Sequence, residues 1–212
     1  MSVSNETDTV QWYTDVDEAQ RVARDLRRPM LIDFWDPECL GCRKMLDVTF
    51  PDPLVARILA DEFVALKIDT SAVTISQRSL IRAYRVLWTP DLLFLDHLGA
   101  EITRRIGYHP PEEFASLLHV VSGQQAMVMR DYAAAFEHFA AGAAMTGAIH
   151  LRPEALFWAG IASYKEAGTG DRAILRRHWR VLQSDFAETP WWERALASWG
   201  VAASAELAAL EA

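Results

Sequence analysis

Apolar and polar positions alternate along the first half of the chain in a pattern that predicts strands and helices in turn. An apolar run at 30–35, interrupted only by Asp33, is typical of a strand covered on both faces. The run at 63–69 has the same character. Two shorter runs at 92–95 and 102–106, joined by a short turn, predict a hairpin. Together these runs predict a single sheet.

Helical spacing of apolar residues fills the segments between these strands. Helices are predicted at 17–27, 40–49, 53–60, 76–86 and 110–121. Counted from the first strand, the order is β-α-β-α-β-β-α. A strand–helix–strand unit places its two strands parallel, with the helix across one face. The hairpin adds antiparallel strands, so we expect an α/β fold with a mixed central sheet and helices on both faces.

From residue 124 onward the pattern predicts helices alone. The predicted helices are 124–141, 154–167, 171–186 and 191–210, with glycine or proline residues at the breaks between them. Small and aromatic residues recur within these segments, which favours close stacking of helix pairs. The predicted divisions are a polar lead-in at 1–11, an α/β domain at 12–121 and an all-α domain at 122–212.

Composition narrows the possible partners. The 212 residues are 51% hydrophobic and carry a net charge of −8, ordinary values for a soluble globular protein. Neither half has the basic stripe of a nucleic-acid binder, and no apolar run approaches the roughly 20 residues that cross a bilayer. The first ten residues lack a secretory pattern. We therefore expect no nucleic-acid partner, no membrane partner and a cytoplasmic location.

The candidate chemistry lies in the only two cysteines, Cys39 and Cys42, which follow the first strand. One such pair without an export signal indicates catalysis or metal binding rather than a disulfide scaffold. A helix N-terminus stabilises a thiolate through its free N–H groups and its dipole. Cys39 at that position is predicted to attack a substrate disulfide, and Cys42, one turn later, to resolve the mixed disulfide.

Two further features accompany the pair. Asp33 is a carboxylate inside an apolar strand, so burial should raise its pKa and allow it to take the proton of Cys42. The alternative is an edge-strand acid that reaches solvent or a salt bridge. A cis bond before Pro90 would leave the backbone of Thr89 free to pair with an extended substrate, whereas an ordinary trans turn would not.

These residues, taken in order, resemble the thioredoxin superfamily over roughly residues 12–121. The resemblance rests on Leu31-Ile32-Asp33-Phe34-Trp35, Cys39-x-x-Cys42, 63–69, Thr89-Pro90 and Gly107. The segments Phe50-Pro51-Asp52-Pro53-x-Val55 and Ile68-Asp69-Thr70 are similar to the soluble thioredoxin-like domain of thiol:disulfide interchange reductases. The resemblance implies Cys39 as nucleophile, Cys42 as resolving thiol and Asp33 as buried proton acceptor. It also implies a cis Pro90, with Trp35, Thr89 and Pro90 bordering the substrate site, and no cofactor.

Three positions depart from the superfamily pattern. Glu38 precedes the first cysteine, where tryptophan is common, and its charge is expected to disfavour the Cys39 thiolate. The pair between the cysteines is Leu40-Gly41 instead of Gly-Pro. Ala65 is expected to occupy the strand position that holds a lysine near the buried acid in many thioredoxins. A strong oxidant requires a heavily stabilised thiolate, so the charge of Glu38 beside Cys39 argues against that activity.

The second half loosely resembles tetratricopeptide-type helical repeats, which implies an architecture and no binding residues. Its tryptophans are predicted to pack between helices, or alternatively to form a peptide groove or dimer contact; they are Trp158, Trp179, Trp191, Trp192 and Trp199. The six histidines show no metal-ligand spacing, so no metal site is predicted from them; they are His97, His109, His119, His138, His150 and His178.

The sequence as a whole favours a protein dithiol–disulfide oxidoreductase that reduces protein disulfides and draws on an unknown electron donor. One alternative is a non-enzymatic interaction module, in which the α/β scaffold and the helical half hold a protein partner or form a homodimer. Another is metal binding by the thiol pair, for example as half of a zinc site.

Overall fold

The computed structural model describes residues 10–199, except for the side chain of Trp199. Its five strands are β1 (Trp12–Tyr13), β2 (Met30–Trp35), β3 (Val64–Asp69), β4 (Asp91–Leu95) and β5 (Glu101–Ile106). They form one sheet in the order β1-β3-β2-β4-β5. Strand β3 is parallel to β1 and β2, whereas β4 is antiparallel to β2 and β5. The predicted mixed sheet and hairpin are confirmed, and β1 is too short to give a sequence pattern.

Ten α-helices accompany the sheet within the described residues. They are α1 (Val16–Leu26), α2 (Leu40–Lys44), α3 (Pro53–Glu62), α4 (Ile75–Ala83), α5 (Pro111–Val128), α6 (Tyr132–Ala144), α7 (Arg152–Ala167), α8 (Ala173–His178), α9 (Arg180–Asp185) and α10 (Pro190–Trp199). Helix α2 continues into a π-helical turn at Met45–Thr49. None of these helices combines the length and apolar composition that a bilayer crossing needs.

Helices cover both faces of the sheet, as the sequence predicts. Successive strand residues point to opposite faces. On one face, Leu31 of β2 and Phe94 of β4 belong to a core that includes residues of α3 and α5. On the other face, Ile32 and Phe34 belong to a core with residues of α1, and Leu80 of α4 packs against it. Strand β2 therefore lies at the centre of the fold.

Helix α5 corrects one predicted boundary. The sequence places the end of this helix at Val121 and starts the next helix at 124, but α5 runs on to Val128 and α6 begins at Tyr132. Ser122 and Gly123 do not break it. The Ser122 hydroxyl donates to Glu62 at 2.5 Å, and Gly123 lies against the ring of Phe139 where no side chain would fit.

In the helical half, one further predicted helix is divided in two, and part of another lies outside the described residues. The predicted helix at 171–186 is two short helices, α8 and α9, on either side of Trp179. Residues 1–9 of the lead-in and 200–210 of the last predicted helix lie outside the described residues, as does the packing of Trp199. The division into domains at 121/122 and the resemblance to tetratricopeptide repeats stay predictions.

Close approach of helices depends on a glycine that faces an aromatic ring. Gly160 of α7 lies against the indole of Trp179, a side chain that is 1% exposed. The indole Nε1 donates to the carbonyl of Phe157 at 2.9 Å, and the two rings stack with their centroids 5.2 Å apart. A methyl group at position 160 would overlap the indole.

We therefore expect Gly160→Ala to lower the free energy of unfolding by about 1–3 kcal/mol, because the added methyl must displace a buried ring. Alanine normally stabilises a helix interior relative to glycine by about 0.5–1 kcal/mol, so propensity acts in the opposite direction. Urea denaturation gives the difference. In a Trp179→Phe background, where the ring is smaller, the same substitution should be less harmful. A stabilised Gly160→Ala protein would contradict the prediction.

Candidate active site

The start of α2 holds the first sulfur at the carboxyl end of β2. Cys39 is the N-cap residue of this helix, and its Sγ accepts the backbone N–H of Cys42 at 3.2 Å. The preceding turn is fixed by Asp36, whose carboxylate accepts the N–H of Glu38 at 2.8 Å. Cys39 is partly exposed, whereas Cys42 is 1% exposed. The predicted arrangement of an accessible and a buried thiol is present.

The bond between Thr89 and Pro90 is cis, as the sequence predicts. The carbonyl of Thr89 accepts the Cys39 thiol at 3.2 Å. Gly41 lies directly over the proline, since a Cβ at this position would be 3.0 Å from Pro90 Cδ. The glycine in the spacer thus allows the start of α2 to approach the proline loop.

The two thiols differ in their readiness to ionise. Burial acts to raise the pKa of Cys39, but hydrogen bonds from Cys42, Thr89 and the backbone of Gly41 outweigh it and lower that pKa from its ordinary value of 9.0. Burial is also the main reason that the pKa of Cys42 is raised, to about 12. Glu38, expected to oppose the Cys39 thiolate, is exposed. Cys39 is therefore the sulfur suited to attack.

Asp33 lies in the central strand and is 2% exposed, so an edge-strand acid that reaches solvent is excluded. The salt bridge that the same alternative allowed is present, with Lys67 as the partner. Burial raises its pKa to about 7, the ammonium of Lys67 opposes the rise, and the charge of Asp91 adds to it. Lys67 Nζ is 3.8 Å from Asp33 Oδ2, while Oδ1 has no hydrogen-bond partner within residues 10–199. This carboxyl group can change its charge near neutral pH.

Lys67 is the site residue that sequence reasoning missed. Strands β2 and β3 pair Asp33 with Lys67 and Leu31 with Ala65. The expectation that Ala65 occupies the position of a lysine near the acid is therefore wrong, because Lys67 lies opposite Asp33. The available signal was Lys67 itself, the one charged residue in the apolar stretch 63–68.

Three aromatic rings surround the Lys67 ammonium. Its Nζ lies 4.4 Å from the ring centroid of Trp12 and 5.4 Å from those of Trp35 and Phe50. Burial lowers the pKa of Lys67, whereas the charges of Asp33 and of a Cys42 thiolate raise it. The negative ring faces help to keep a partly desolvated ammonium charged. The lysine therefore acts electrostatically on both the acid and the buried thiol.

A groove of about 750 Å³ opens beside Cys39. Thr89 and Pro90 line it, in the place that the sequence predicts for substrate contacts. Its rim carries apolar side chains that are largely open to solvent, with Leu40 at 73%, Leu87 at 87% and Trp88 at 71% exposure. Trp35 is not among the described residues that line the groove, and its ring lies over Lys67 instead.

In the described part of the chain, the thiol pair has no further metal ligand close by. Within residues 10–199, no third histidine, cysteine or carboxylate side chain joins Cys39 and Cys42 in a group small enough to hold one ion. A structural zinc site ordinarily needs four such ligands. The arrangement therefore favours exchange chemistry over metal binding at these two sulfurs.

Comparisons with known sequences identify the family of residues 16–122. Residues 16–122 match a family described as a thioredoxin-like domain. A thiol:disulfide interchange protein DsbD of Ralstonia nicotianae is 34% identical over 119 residues, which cover 55% of this chain and 19% of that protein. A DsbD of Salmonella typhi is 32% identical over 107 residues, covering 49% of this chain and 19% of the relative. The chain thus spans about a fifth of the length of these relatives.

Solved structures also match about half of the chain. A thioredoxin from Thermus thermophilus, 31% identical, has a TM-score of 0.48 and covers 53% of this chain and 87% of its own. A DsbH oxidoreductase, 18% identical, has a TM-score of 0.50 and covers 57% of this chain and 90% of its own. At that identity the second likeness bears on the fold alone.

We expect iodoacetamide to modify the reduced native protein at Cys39, with a midpoint below pH 9.0, because hydrogen bonds stabilise that thiolate. Cys42 should stay unmodified until the protein unfolds, because its pKa is about 12. Peptide mass spectrometry across a pH series measures both. Thr89→Val removes the hydroxyl that helps to lower the pKa of Cys39, so this variant should move the Cys39 midpoint to higher pH. Equal labelling of the two cysteines would rule the assignment out.

The raised pKa of Asp33 predicts a pH-dependent effect of Asp33→Asn on stability. Folding raises this pKa from 3.8 to about 7, so wild-type protein loses stability as pH rises between these values. At about 1.4 kcal/mol for each tenfold change in proton affinity, the variant should gain up to about 4 kcal/mol at pH 8 and nothing at pH 3.

Chemical denaturation at several pH values measures this difference. The matched control is Asp61→Asn in α3, which changes an exposed acid and should leave the pH profile of stability as in the wild type. If Asp33→Asn and wild type showed parallel profiles, the carboxylate would not be desolvated as described.

Proposed function

Because the chain belongs to the thioredoxin-like domain family, we propose that it is a protein dithiol–disulfide oxidoreductase that reduces protein disulfides through Cys39 and Cys42. The thioredoxin fold expected from the sequence is confirmed. The observation that carries the proposal is the contrast between the two sulfurs. One is accessible, with a lowered pKa, beside an apolar groove, and the other is buried with a raised pKa.

In the first step, the Cys39 thiolate attacks one sulfur of the substrate disulfide. The substrate S–S bond breaks as the mixed disulfide forms, and the other substrate sulfur leaves as a thiolate that takes a proton from solvent. The N–H of Cys42 and the Thr89 side chain stabilise the attacking thiolate. Partial exposure of Cys39 gives the substrate access to it.

In the second step, Cys42 must lose its proton before it can attack Cys39 Sγ. Asp33 is the proposed acceptor, since burial brings the pKa of its carboxyl to about 7. The ammonium of Lys67 stabilises the Asp33 carboxylate and the Cys42 thiolate in turn. Attack by Cys42 releases the second substrate thiol, and the pair, having given up two electrons, remains as a disulfide. An external dithiol must then reduce it.

The groove gives the substrate a place to bind. The backbone N–H of Thr89 has no hydrogen-bond partner in the described part of the chain, so it is open to an extended substrate segment. The exposed side chains of Leu40, Leu87 and Trp88 favour a substrate with an apolar residue next to its cysteine. The role of Trp35 in binding stays a prediction, as do the cytoplasmic location and the reducing direction.

Turnover of a disulfide-bonded protein such as insulin, with dithiothreitol as electron donor, tests the proposal. Cys39→Ser should reduce the rate to that of dithiothreitol alone, because the nucleophile is lost. Cys42→Ser should accumulate a mixed disulfide between Cys39 and the substrate, visible on a non-reducing gel, because the resolving thiol is lost.

Wild-type rates in Cys39→Ser would end the proposal. They would favour the rival interaction module, in which partners bind independently of the thiols. Circular dichroism of each variant ensures that a lost rate is not a lost fold. The double variant Cys39→Ser/Cys42→Ser controls for both sulfurs, since it should neither turn over nor trap substrate.

A further inference from the structure

A second cluster of chemically active side chains lies where three helices meet. Glu62 is the last residue of α3, His119 lies in α5 and His138 lies in α6. One ligand-type atom from each lies within 4.8 Å of the other two. His138 Nδ1 is 3.7 Å from Glu62 Oε2, and the two imidazole centroids are 6.0 Å apart. The proposed oxidoreductase mechanism uses none of these residues.

The contacts within the cluster leave one of its buried nitrogen atoms without a hydrogen bond among the described residues. His119 Nδ1 is buried and has no hydrogen-bond partner among the described residues. Within residues 10–199, the one side-chain hydrogen bond to the cluster is from Ser122, whose hydroxyl donates to Glu62 Oε2 at 2.5 Å. Buried polar groups normally have partners. Among the described residues, this carboxylate and these two imidazoles converge with no hydrogen bond between them and with one ion-pair contact, His138 to Glu62.

We propose that Glu62, His119 and His138 form a binding site for a divalent transition-metal ion, with zinc as the preferred occupant. Two imidazoles and one carboxylate are a common set of protein ligands for zinc, with water in the fourth position. The side chains of Glu62 and His138 are each 29% exposed, so an ion can enter and keep a water ligand. In a tetrahedral site the ligand atoms are about 3.3 Å apart, which small side-chain rotations achieve from the present spacing.

The charges around the cluster are compatible with a cation. Glu62 brings one negative charge, and the Ser122 hydroxyl orients its carboxylate as outer hydrogen bonds do in metal sites. Arg57 opposes a cation, but its side chain is exposed and is screened by water.

An ion at this position would link three helices. Helix α3 packs on the sheet, α5 belongs to both the sheet core and the helical core, and α6 belongs to the helical core alone. The site is therefore structural in this proposal, and it does not rest on the thiol chemistry. Its ligands are 57 and 19 residues apart along the chain, which is why no spacing motif reveals them.

Isothermal titration of tag-free protein with zinc chloride tests the site. The protein carries Cys39→Ser and Cys42→Ser, so that the two thiols cannot bind the metal. We expect about one zinc per chain with a micromolar or lower dissociation constant. Glu62→Gln and His138→Gln should each weaken binding at least tenfold. His150→Gln, which changes an exposed histidine in the loop after α6, should leave binding unchanged.

Thermal unfolding supplies a second measurement. Zinc at 100 times its dissociation constant should raise the folding equilibrium constant about 100-fold, and at the same zinc concentration this gain should fall to about tenfold or less in Glu62→Gln. Melting without zinc separates lost ligation from lost folding, since Glu62→Gln should melt close to the parent protein. Absence of binding at 1 mM zinc, or binding that both ligand variants leave unchanged, would overturn the proposal.

Discussion

The carboxylate of Asp33 and the ammonium of Lys67 lie side by side among apolar residues, and Lys67 also interacts with the charge of a Cys42 thiolate. The pKa of the acid depends on how incompletely the two charges neutralise each other. Asp33 and Lys67 are 3.8 Å apart, too far for a good hydrogen bond, and one carboxylate oxygen has no partner in the described residues. Desolvation therefore exceeds the attraction, and the pKa of Asp33 rises to about 7. A tighter ion pair would keep this acid ionised at neutral pH.

The same helical turn gives two cysteines opposite properties. Cys39 at the N-cap receives hydrogen bonds that stabilise its thiolate, whereas Cys42, three residues on, points into the core and loses the solvation that its thiolate would need. The cis Pro90 and the glycine at position 41 let the proline loop lie close to the first sulfur without covering it. The difference between the two thiols thus follows from position in the helix and not from residue type.

The sequence was sufficient wherever one local pattern decides the outcome. The apolar run with Asp33, the cysteine spacing and Thr89-Pro90 predicted the mixed sheet, the two thiol environments and the cis bond. Sequence reasoning failed where the structure depends on contacts between residues that are distant along the chain. Lys67 lies beside Asp33 because of the register between β2 and β3, which the apolar pattern of one strand does not encode. Helix α5 continues beyond Val121 because contacts with other helices accommodate Ser122 and Gly123. The meeting of His119 with His138 depends on helix packing in the same way.

Helix α5 connects these observations, because its two ends serve different cores. Phe114 and Leu117 pack against the sheet, whereas Val120 and Ala126 pack against α6 and α7. Continuous hydrogen bonding through 18 residues joins the two cores in one rigid element. Leu31, which lies on the same face of β2 as Asp33, belongs to the core that α5 covers. The helical half is therefore connected to that core through one continuous helix.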